Sequence, residues 1–197
     1  MNDIQIEVLS DEINKNTAIS IHKVHINNLP NDVMPNFGMD LEYRYLQTLL
    51  GNKGKLLTAN NRNNVIGFIT LRLNSQSLIS ELNFKSIFLF LKISLQKPSL
   101  LIKLLKQLYY QSEQPQLSAE IDYFAVDEDM RGNGVGGLLI SKAEEIAVEW
   151  GLSILYTKTS NERLYQYYLV SKSAKLMKEF EILGEKYRCV SWKIGKK

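Results

Sequence analysis

Cysteine is almost absent from this chain, and long apolar runs are missing altogether. The single cysteine, Cys189, excludes an internal disulfide among the 197 residues, and a reducing cytoplasm is the expected location. Nowhere do about 18 or more apolar residues follow one another, and no basic region precedes an apolar run at the N-terminus, so neither a membrane span nor an export signal is predicted. The net charge of +3 is too small to indicate nucleic-acid binding.

Hydrophobic residues make up 45% of the chain, enough for a sizeable core, and the length predicts one domain over residues 1–197. The apolar patterns predict a mixed α/β order. Strands are predicted at 4–8, 55–59, 64–73, 117–126, 154–158, 174–182 and 186–194. Helices are predicted at 17–29, 39–50, 134–150 and 161–170, with Asn16 or Thr17 capping the first and Pro30 and Pro35 ending it.

A glycine-rich turn lies between the strand that ends at Val126 and the helix that follows. It reads R-G-N-G-V-G, with Gly132, Gly134 and Gly136 alternating after Arg131. Glycine lets the backbone approach a ligand, and the start of a helix offers unpaired N–H groups and a positive dipole end, so the turn is predicted to bind phosphate. The lysine and hydroxyl of a P-loop do not follow, and the G-x-G-x-x-G spacing of a dinucleotide site is missing.

The pattern R-x-x-G-x-G, behind an A-V strand end, resembles the acetyl-CoA-binding motif of the GCN5-related N-acetyltransferase (GNAT) family. The resemblance implies the GNAT fold, a mixed and mostly antiparallel α/β sheet flanked by helices, and acetyl-CoA as acyl donor. It also implies that the Val126 N–H binds the thioester carbonyl where its strand splays from a neighbour. The residues that it assigns to acetyl-CoA are Phe124, Ala125, Val126, Arg131, Gly132, Asn133, Gly134, Val135, Gly136, Asn161 and Tyr168.

Glu120 is the proposed general base. It stands six residues before Val126, and the same E-x-x-x-x-A-V spacing occurs in family members that use a strand glutamate for this purpose. Strand alternation predicts Glu120, Asp122 and Phe124 on one face, where two carboxylates would attract a cationic amine and take its proton, directly or through water. Which of the two carboxylates is the base stays open.

Tyr168 is the proposed acid. The segment N-E-R-L-Y-Q-Y-Y, at 161–168, matches the family pattern N-x-x-A-x-x-[F/Y]-Y except for Leu164. By this resemblance Tyr168 protonates the departing thiolate and Asn161 contacts the pantetheine arm. The chain then departs from the family, because Lys172 and Ser173 replace the usual glycine and aromatic residue.

The resemblance predicts an enzyme that acetylates the amine of a small-molecule acceptor, without a metal. His22 and His25 are three residues apart but lack a third ligand, so a metal site is not predicted there, and contact with the acceptor is the alternative. No G-x-S-x-G motif and no recognisable Cys–His pair supports a hydrolase. A non-catalytic acyl-CoA-binding module and an enzyme that acetylates protein amino groups are the rival functions, and a homodimer stays open.

A helical insertion, broken at Pro98, is predicted at 77–111 between the third and fourth strands. It is rich in leucine, and its only charged residues from Phe84 onwards are lysines. Three roles are open: closing over the sheet, walling the acceptor cleft so that lysines meet an anionic substrate such as a nucleotide-linked amino sugar, or lying against a membrane. A loose resemblance to bacterial surface-polysaccharide acetyltransferases favours the amino sugar as acceptor.

Overall fold

The computed structural model describes residues 4–50, 54–62, 64–73, 92–102, 119–182 and 184–195. Within them, seven strands form one sheet: β1 (Ile4–Leu9), β2 (Gly54–Asn61), β3 (Asn64–Leu73), β4 (Ala119–Val126), β5 (Ile154–Thr159), β6 (Lys175–Ile182) and β7 (Glu185–Lys193). Their order is β1-β2-β3-β4-β5-β7-β6. Each neighbouring pair is antiparallel except β4 and β5, which are parallel. The predicted mixed, mostly antiparallel sheet is thus confirmed.

Outside residues 92–102, the described helices are α1 (Lys15–Asn28), α2 (Val33–Asn36), α3 (Met39–Leu49), α4 (Val135–Glu149) and α5 (Glu162–Ser171), with one 3-10 turn at Glu128–Met130. The cap of α1 is Asn14, whose side chain accepts from the Thr17 N–H, so the predicted caps Asn16 and Thr17 are wrong. The sequence did not predict α2. Pro35 lies in its first turn, where no intrahelical N–H donor is needed. None of the described helices is long and apolar enough to span a membrane.

Part of the predicted insertion is described, at residues 92–102. These residues are helical at 92–96 and 98–102, and the helix is interrupted at Lys97. A residue that precedes proline disfavours the helical conformation, which explains a break directly before Pro98. The rest of the insertion, at 77–91 and 103–111, lies outside the described residues.

The sheet separates two apolar layers. On one face, α1, α2 and α3 pack over residues such as Phe68 and Tyr123. On the other face, α4 and α5 cover Ile69 and Ile121. Because Phe68 and Ile69 point to opposite faces and both are buried, β3 is an almost continuous apolar run. We call the two sides of the sheet the α1–α3 face and the α4–α5 face.

A buried charged cluster on the α1–α3 face joins α1 to α3. His25 is fully buried, with Nδ1 hydrogen-bonded to Glu42 and Nε2 3.2 Å from an Asp32 oxygen. His22 Nδ1 lies 2.5 Å from the other Glu42 oxygen. Burial disfavours a charged ring, but the hydrogen bonds to Asp32 and Glu42 outweigh it and raise the pKa of His25 to about 9. The described residues contain no group of three or more His, Cys, Asp or Glu side chains that could hold a metal ion.

The charge on His25 is expected to make stability depend on pH. Its pKa rises from 6.5 to about 9 on folding, so its stabilising contribution is fully present below pH 6.5 and is lost as the pH rises through 9. The free energy of unfolding, measured by urea denaturation, should therefore fall by about 3 kcal/mol over this interval. His25→Gln should flatten the profile, whereas His22→Gln, at a partly exposed position, should keep it. Equal slopes in the wild type and His25→Gln would contradict the assignment.

Candidate active site at the opening between two parallel strands

The parallel strands β4 and β5 separate after a short contact. In the described chain they pair only at Glu120 with Tyr156 and at Ile121 with Thr157, although both strands continue. We call the opening beyond these pairs the β4–β5 gap. The splay expected for β4 is therefore present in the fold.

The Val126 amide points towards this gap. The N–H of the next residue, Asp127, donates to Ile66 O beside β3 at 2.9 Å. Successive amides of a strand point to opposite edges, so the Val126 N–H points away from β3 and towards β5. The amide predicted to bind the thioester carbonyl is thus directed into the β4–β5 gap.

A β-bulge decides which face the β4 side chains occupy. Asp122 and Tyr123 both lie opposite the single β3 residue Thr70, whose hydroxyl accepts a hydrogen bond from the Tyr123 N–H at 2.9 Å. Glu120 and Asp122 share the α1–α3 face, but the extra residue turns Phe124 to the α4–α5 face, where it packs with the apolar layer there. The predicted alternation of Glu120, Asp122 and Phe124 on one face is therefore wrong.

Glu120 lies one residue before Ile121, the last paired residue of β4, and is only 2% exposed. Its Oε1 is 2.7 Å from Lys158 Nζ on β5. Its Oε2 is buried and has no hydrogen-bond partner among the described residues. Leaving a buried carboxylate oxygen unpaired is costly, so this atom is a candidate for contact with a substrate.

Asp122 is held by Arg72 on β3. The Arg72 Nε and Nη2 atoms lie 2.7 and 2.9 Å from the two Asp122 oxygens, and both side chains are largely buried. Burial is the largest effect on Asp122 and raises its pKa to about 6, against the opposing charge of Arg72. Burial is the largest effect on Arg72 and lowers its pKa, but the charges of Asp122, Tyr45 and Glu120 and the hydrogen bond to Asp122 together raise it above the ordinary value.

Each carboxylate of this group is paired with a cation. Lys158 pairs with Glu120 and Arg72 pairs with Asp122. The sequence suggested that the two carboxylates together attract a cationic amine, and in the structure each of them already has a cationic neighbour. The two carboxylates also differ. Asp122 Oδ1 accepts a hydrogen bond from Arg72 and Oδ2 forms an ion pair with Arg72 Nε, whereas Glu120 Oε2 has no hydrogen-bond partner among the described residues.

Tyr168 lies on the α4–α5 face. Its ring is fully buried and stacks on Trp192, with 5.0 Å between ring centroids. The polar side chain beside its hydroxyl is that of Thr157. The Thr157 hydroxyl donates to Ile121 O at 3.0 Å, at the last strand pair before the gap. Burial raises the pKa of Tyr168 above its ordinary value, so its hydroxyl keeps its proton at neutral pH, as an acid requires.

Asn161 is the N-terminal cap of α5. Its Oδ1 accepts from the Leu164 N–H at 3.0 Å, and its own backbone N–H donates to the Thr159 hydroxyl at 3.0 Å. The cap uses the side-chain oxygen, which leaves the side-chain nitrogen as the donor that a ligand would meet. Asn161 and Tyr168 thus occupy the first and second turns of one helix.

The glycine-rich turn leads into the start of α4. Gly132 and Gly134 both have φ of +80°, a left-handed conformation that favours glycine. Gly134 is the N-cap residue of α4, and no side chain forms a capping hydrogen bond at this end of the helix. The first intrahelical bond runs from the Leu138 N–H to Gly134 O, so the N–H groups of the three residues between them have no partner within the helix. Free N–H groups and a positive dipole end are the elements of an anion site.

The side chains of the turn differ in what they offer a ligand. Asn133 is exposed, but Val135 is buried in the α4–α5 layer, so only its backbone is available. A Cβ at Gly136 would lie 3.0 Å from Phe124 Cζ, so a larger residue there would require the Phe124 ring to shift by a few tenths of an ångström. Gly136 thus allows a close approach between α4 and the Phe124 side chain of β4.

Arg131 reaches from the turn to the end of α1. Its guanidinium donates to Val126 O at 3.2 Å and to Asn28 Oδ1 at 2.6 Å. Asn28 Nδ2 lies 3.2 Å from Asp127 Oδ1. Arg131 therefore occupies an exposed position beside both the glycine-rich turn and the end of β4, from which its donors could also contact a phosphate.

Three residues of the site were missed by the sequence analysis: Arg72, Lys158 and Trp192. The sequence contained a pattern that could have identified Lys158, because alternation along β5 places it on the same face as Tyr156, the pairing partner of Glu120. No sequence pattern could have identified Trp192, since its stacking on Tyr168 and its 2.7 Å hydrogen bond to Glu144 join elements that are distant in sequence.

The comparisons with known proteins agree with this fold. The model of the acetyltransferase (GNAT) family matches residues 24–169. Among solved structures, Ard1 from Thermoplasma volcanium is similar at 14% identity and TM-score 0.60, over 98% of this chain and 99% of that chain. The ribosomal-protein-S18-alanine N-acetyltransferase from Escherichia coli is similar at 9% identity and TM-score 0.58, over 98% and 96%.

A GNAT family acetyltransferase from Elizabethkingia anophelis is also similar, at 15% identity and TM-score 0.53, over 98% of this chain and 100% of that chain. No curated protein sequence matches the chain. The structural similarities at these identities concern the fold, whereas the family match covers most of the sequence. This protein therefore belongs to the acetyltransferase (GNAT) family and is an acyltransferase of the N-acetyltransferase class.

Proposed function

We propose that this protein transfers the acetyl group of acetyl-CoA directly to the amine of a small-molecule acceptor. The observation that carries the proposal is the buried Glu120 carboxylate beside the β4–β5 gap, with Oε2 unpaired among the described residues. A fixed carboxylate with a free oxygen is suited to accept a proton from an incoming amine.

The glycine-rich turn supports acetyl-CoA as donor, and acetyl-CoA supplies an acetyl group activated as a thioester. The uncapped start of α4 and Arg131 would bind its phosphates, while Asn161 would donate to its pantetheine arm. The Val126 N–H would stabilise negative charge that develops on the carbonyl oxygen. The similar protein from Elizabethkingia anophelis has acetyl-CoA bound, which agrees with this donor.

Glu120 and Tyr168 would carry the two proton transfers. Glu120 Oε2 accepts the proton of the acceptor amine, and the Tyr168 hydroxyl donates its proton to the departing sulfur. Asp122 is the weaker candidate for the base, because Arg72 already binds both of its oxygens. Since Glu120 and Tyr168 lie on opposite faces of the sheet, the acceptor would approach from the α1–α3 face.

A nucleotide-linked amino sugar is our specific candidate for the acceptor. The candidate is based on the lysines of the 77–111 insertion, of which Lys92 and Lys97 are described and exposed. Protein amino groups are the second candidate, since one protein of similar fold is named for acetylating a ribosomal-protein alanine.

Labelled acetyl-CoA distinguishes these candidates. The protein is incubated with a cell extract and labelled acetyl-CoA, and the small-molecule and protein fractions are examined by mass spectrometry while a thiol reagent reports CoA release. We expect the label as an amide in the small-molecule fraction, with matching thiol release. Label in the protein fraction would support the second candidate, and thiol release without any amide product would contradict the proposal.

Tyr168→Phe is expected to lower kcat about a hundredfold, because it removes a proton donor but keeps the ring stacked on Trp192. The affinity for acetyl-CoA, measured by calorimetry, should change little. Tyr165→Phe is the matched control, since the same hydroxyl is removed from the same helix and the ring still faces Arg188 at 4.5 Å. Full activity in Tyr168→Phe would show that another group is the acid.

A further inference from the structure

Lys158 is the cation that lies nearest to the proposed base. It follows Thr157, the last paired residue of β5, and its ammonium reaches back to Glu120 across the start of the β4–β5 gap. The Nζ to Oε1 distance is 2.7 Å, and the two side chains are 17% and 2% exposed. The contact is therefore a largely buried ion pair, less screened by water than the exposed pairs of the chain.

This ion pair makes the two Glu120 oxygens different. Oε1 is bound by Lys158, whereas Oε2 has no partner among the described residues. A carboxylate buried to this degree needs a neighbouring cation to remain charged. Lys158 supplies this cation at Oε1, whereas the Arg72 guanidinium lies 2.7 and 2.9 Å from the two Asp122 oxygens.

We propose that Lys158 is a positioning residue for acetyl transfer: it keeps Glu120 ionised and turns Oε2 alone towards the acceptor amine. This inference rests on the proposed function, because it assumes that Glu120 is the base. Removing the ammonium would leave a buried carboxylate that protonates more readily and rotates more freely, so the enzyme would lose its base at pH values where the wild type is active.

The other titratable groups that interact electrostatically with Glu120 are Arg72 from β3, Asp122 from β4, Tyr45 from α3 and Cys189 from β7. The tyrosine and cysteine are uncharged at neutral pH because burial raises the pKa of both. Asp122 has a pKa of about 6 and also interacts with Lys158, so its carboxyl resonance is followed beside that of Glu120.

The titration of Glu120 is measured by carbon NMR of its side-chain carboxyl, with the resonance assigned from its loss in Glu120→Gln. In Lys158→Met the midpoint should rise by about one pH unit or more. Lys158→Arg should restore a midpoint near that of the wild type. Lys142→Met removes an equal charge from an exposed pair with Glu145 and should leave the midpoint unchanged.

Activity is the second readout. In Lys158→Met the acid limb of the kcat/KM profile should move to higher pH by a similar amount, with kcat reduced at neutral pH and KM for acetyl-CoA unchanged. The same midpoint in the wild type and Lys158→Met would overturn the inference. If Lys158→Met does not fold, Lys158→Gln carries the same expectation. If the wild type transfers no acetyl group, the proposed function fails, while the NMR titration still decides the role of Lys158.

Discussion

Glu120→Gln is expected to lower kcat about a thousandfold at neutral pH and to leave acetyl-CoA affinity within about twofold. Glutamine keeps the shape of the side chain and can still accept a hydrogen bond from Lys158, but it cannot take the proton of the acceptor amine. Activity should recover partly as the pH rises, because the amine then loses its proton to water. Steady-state rates of thiol release over a range of pH, with calorimetry for acetyl-CoA, measure both effects.

Asp122→Asn is the matched control for the base. Arg72 binds both Asp122 oxygens, so the substitution weakens a buried ion pair and should lower the melting temperature more than it lowers kcat in the folded protein. If Asp122→Asn removed catalysis and Glu120→Gln did not, the base would be Asp122. The pair of variants therefore decides the question that the sequence left open.

Gly134→Glu is expected to weaken acetyl-CoA binding about a hundredfold or more, equivalent to about 3 kcal/mol. The new side chain would place a negative charge at the uncapped start of α4, where phosphate oxygens would bind. It would also replace a glycine at φ of +80°, a conformation that other residues adopt at a cost. Calorimetry with acetyl-CoA gives the change directly.

Gly151→Glu separates the two causes. Gly151 has φ of +76° and open space around it, but it lies beyond the other end of α4. The variant therefore introduces a similar backbone strain and the same charge at a distance from the turn. It should reduce stability without changing the affinity for acetyl-CoA. An equal loss of affinity in both variants would show that strain, and not the anion site, explains the effect.

The local geometry of the glycine-rich turn and of α5 could be predicted from consecutive residues. The turn needs glycine at left-handed positions, a helix start without a side-chain cap and an arginine beside it, and all of these are properties of the segment 131–136. Asn161 and Tyr168 are likewise placed by one short helix. Such local features depend little on the rest of the chain, which is why their spacing was informative.

The surroundings of the carboxylates could not be predicted in this way. Arg72 and Asp122 are 50 residues apart, and the 77–111 insertion lies between them in sequence. The bulge opposite Thr70 adds one residue to β4, and a pattern of alternating residues contains no mark of such an addition. The predicted face of Phe124 was wrong for this reason.

The sequence by itself determined the strand and helix order, the glycine-rich turn and the family, because apolar periodicity and local motifs depend on neighbouring residues. Only the tertiary structure decided how the two carboxylates differ. The ion pairs Glu120–Lys158 and Asp122–Arg72 form where three strands meet, and strand pairing alone determines which side chains come within 3 Å of each other.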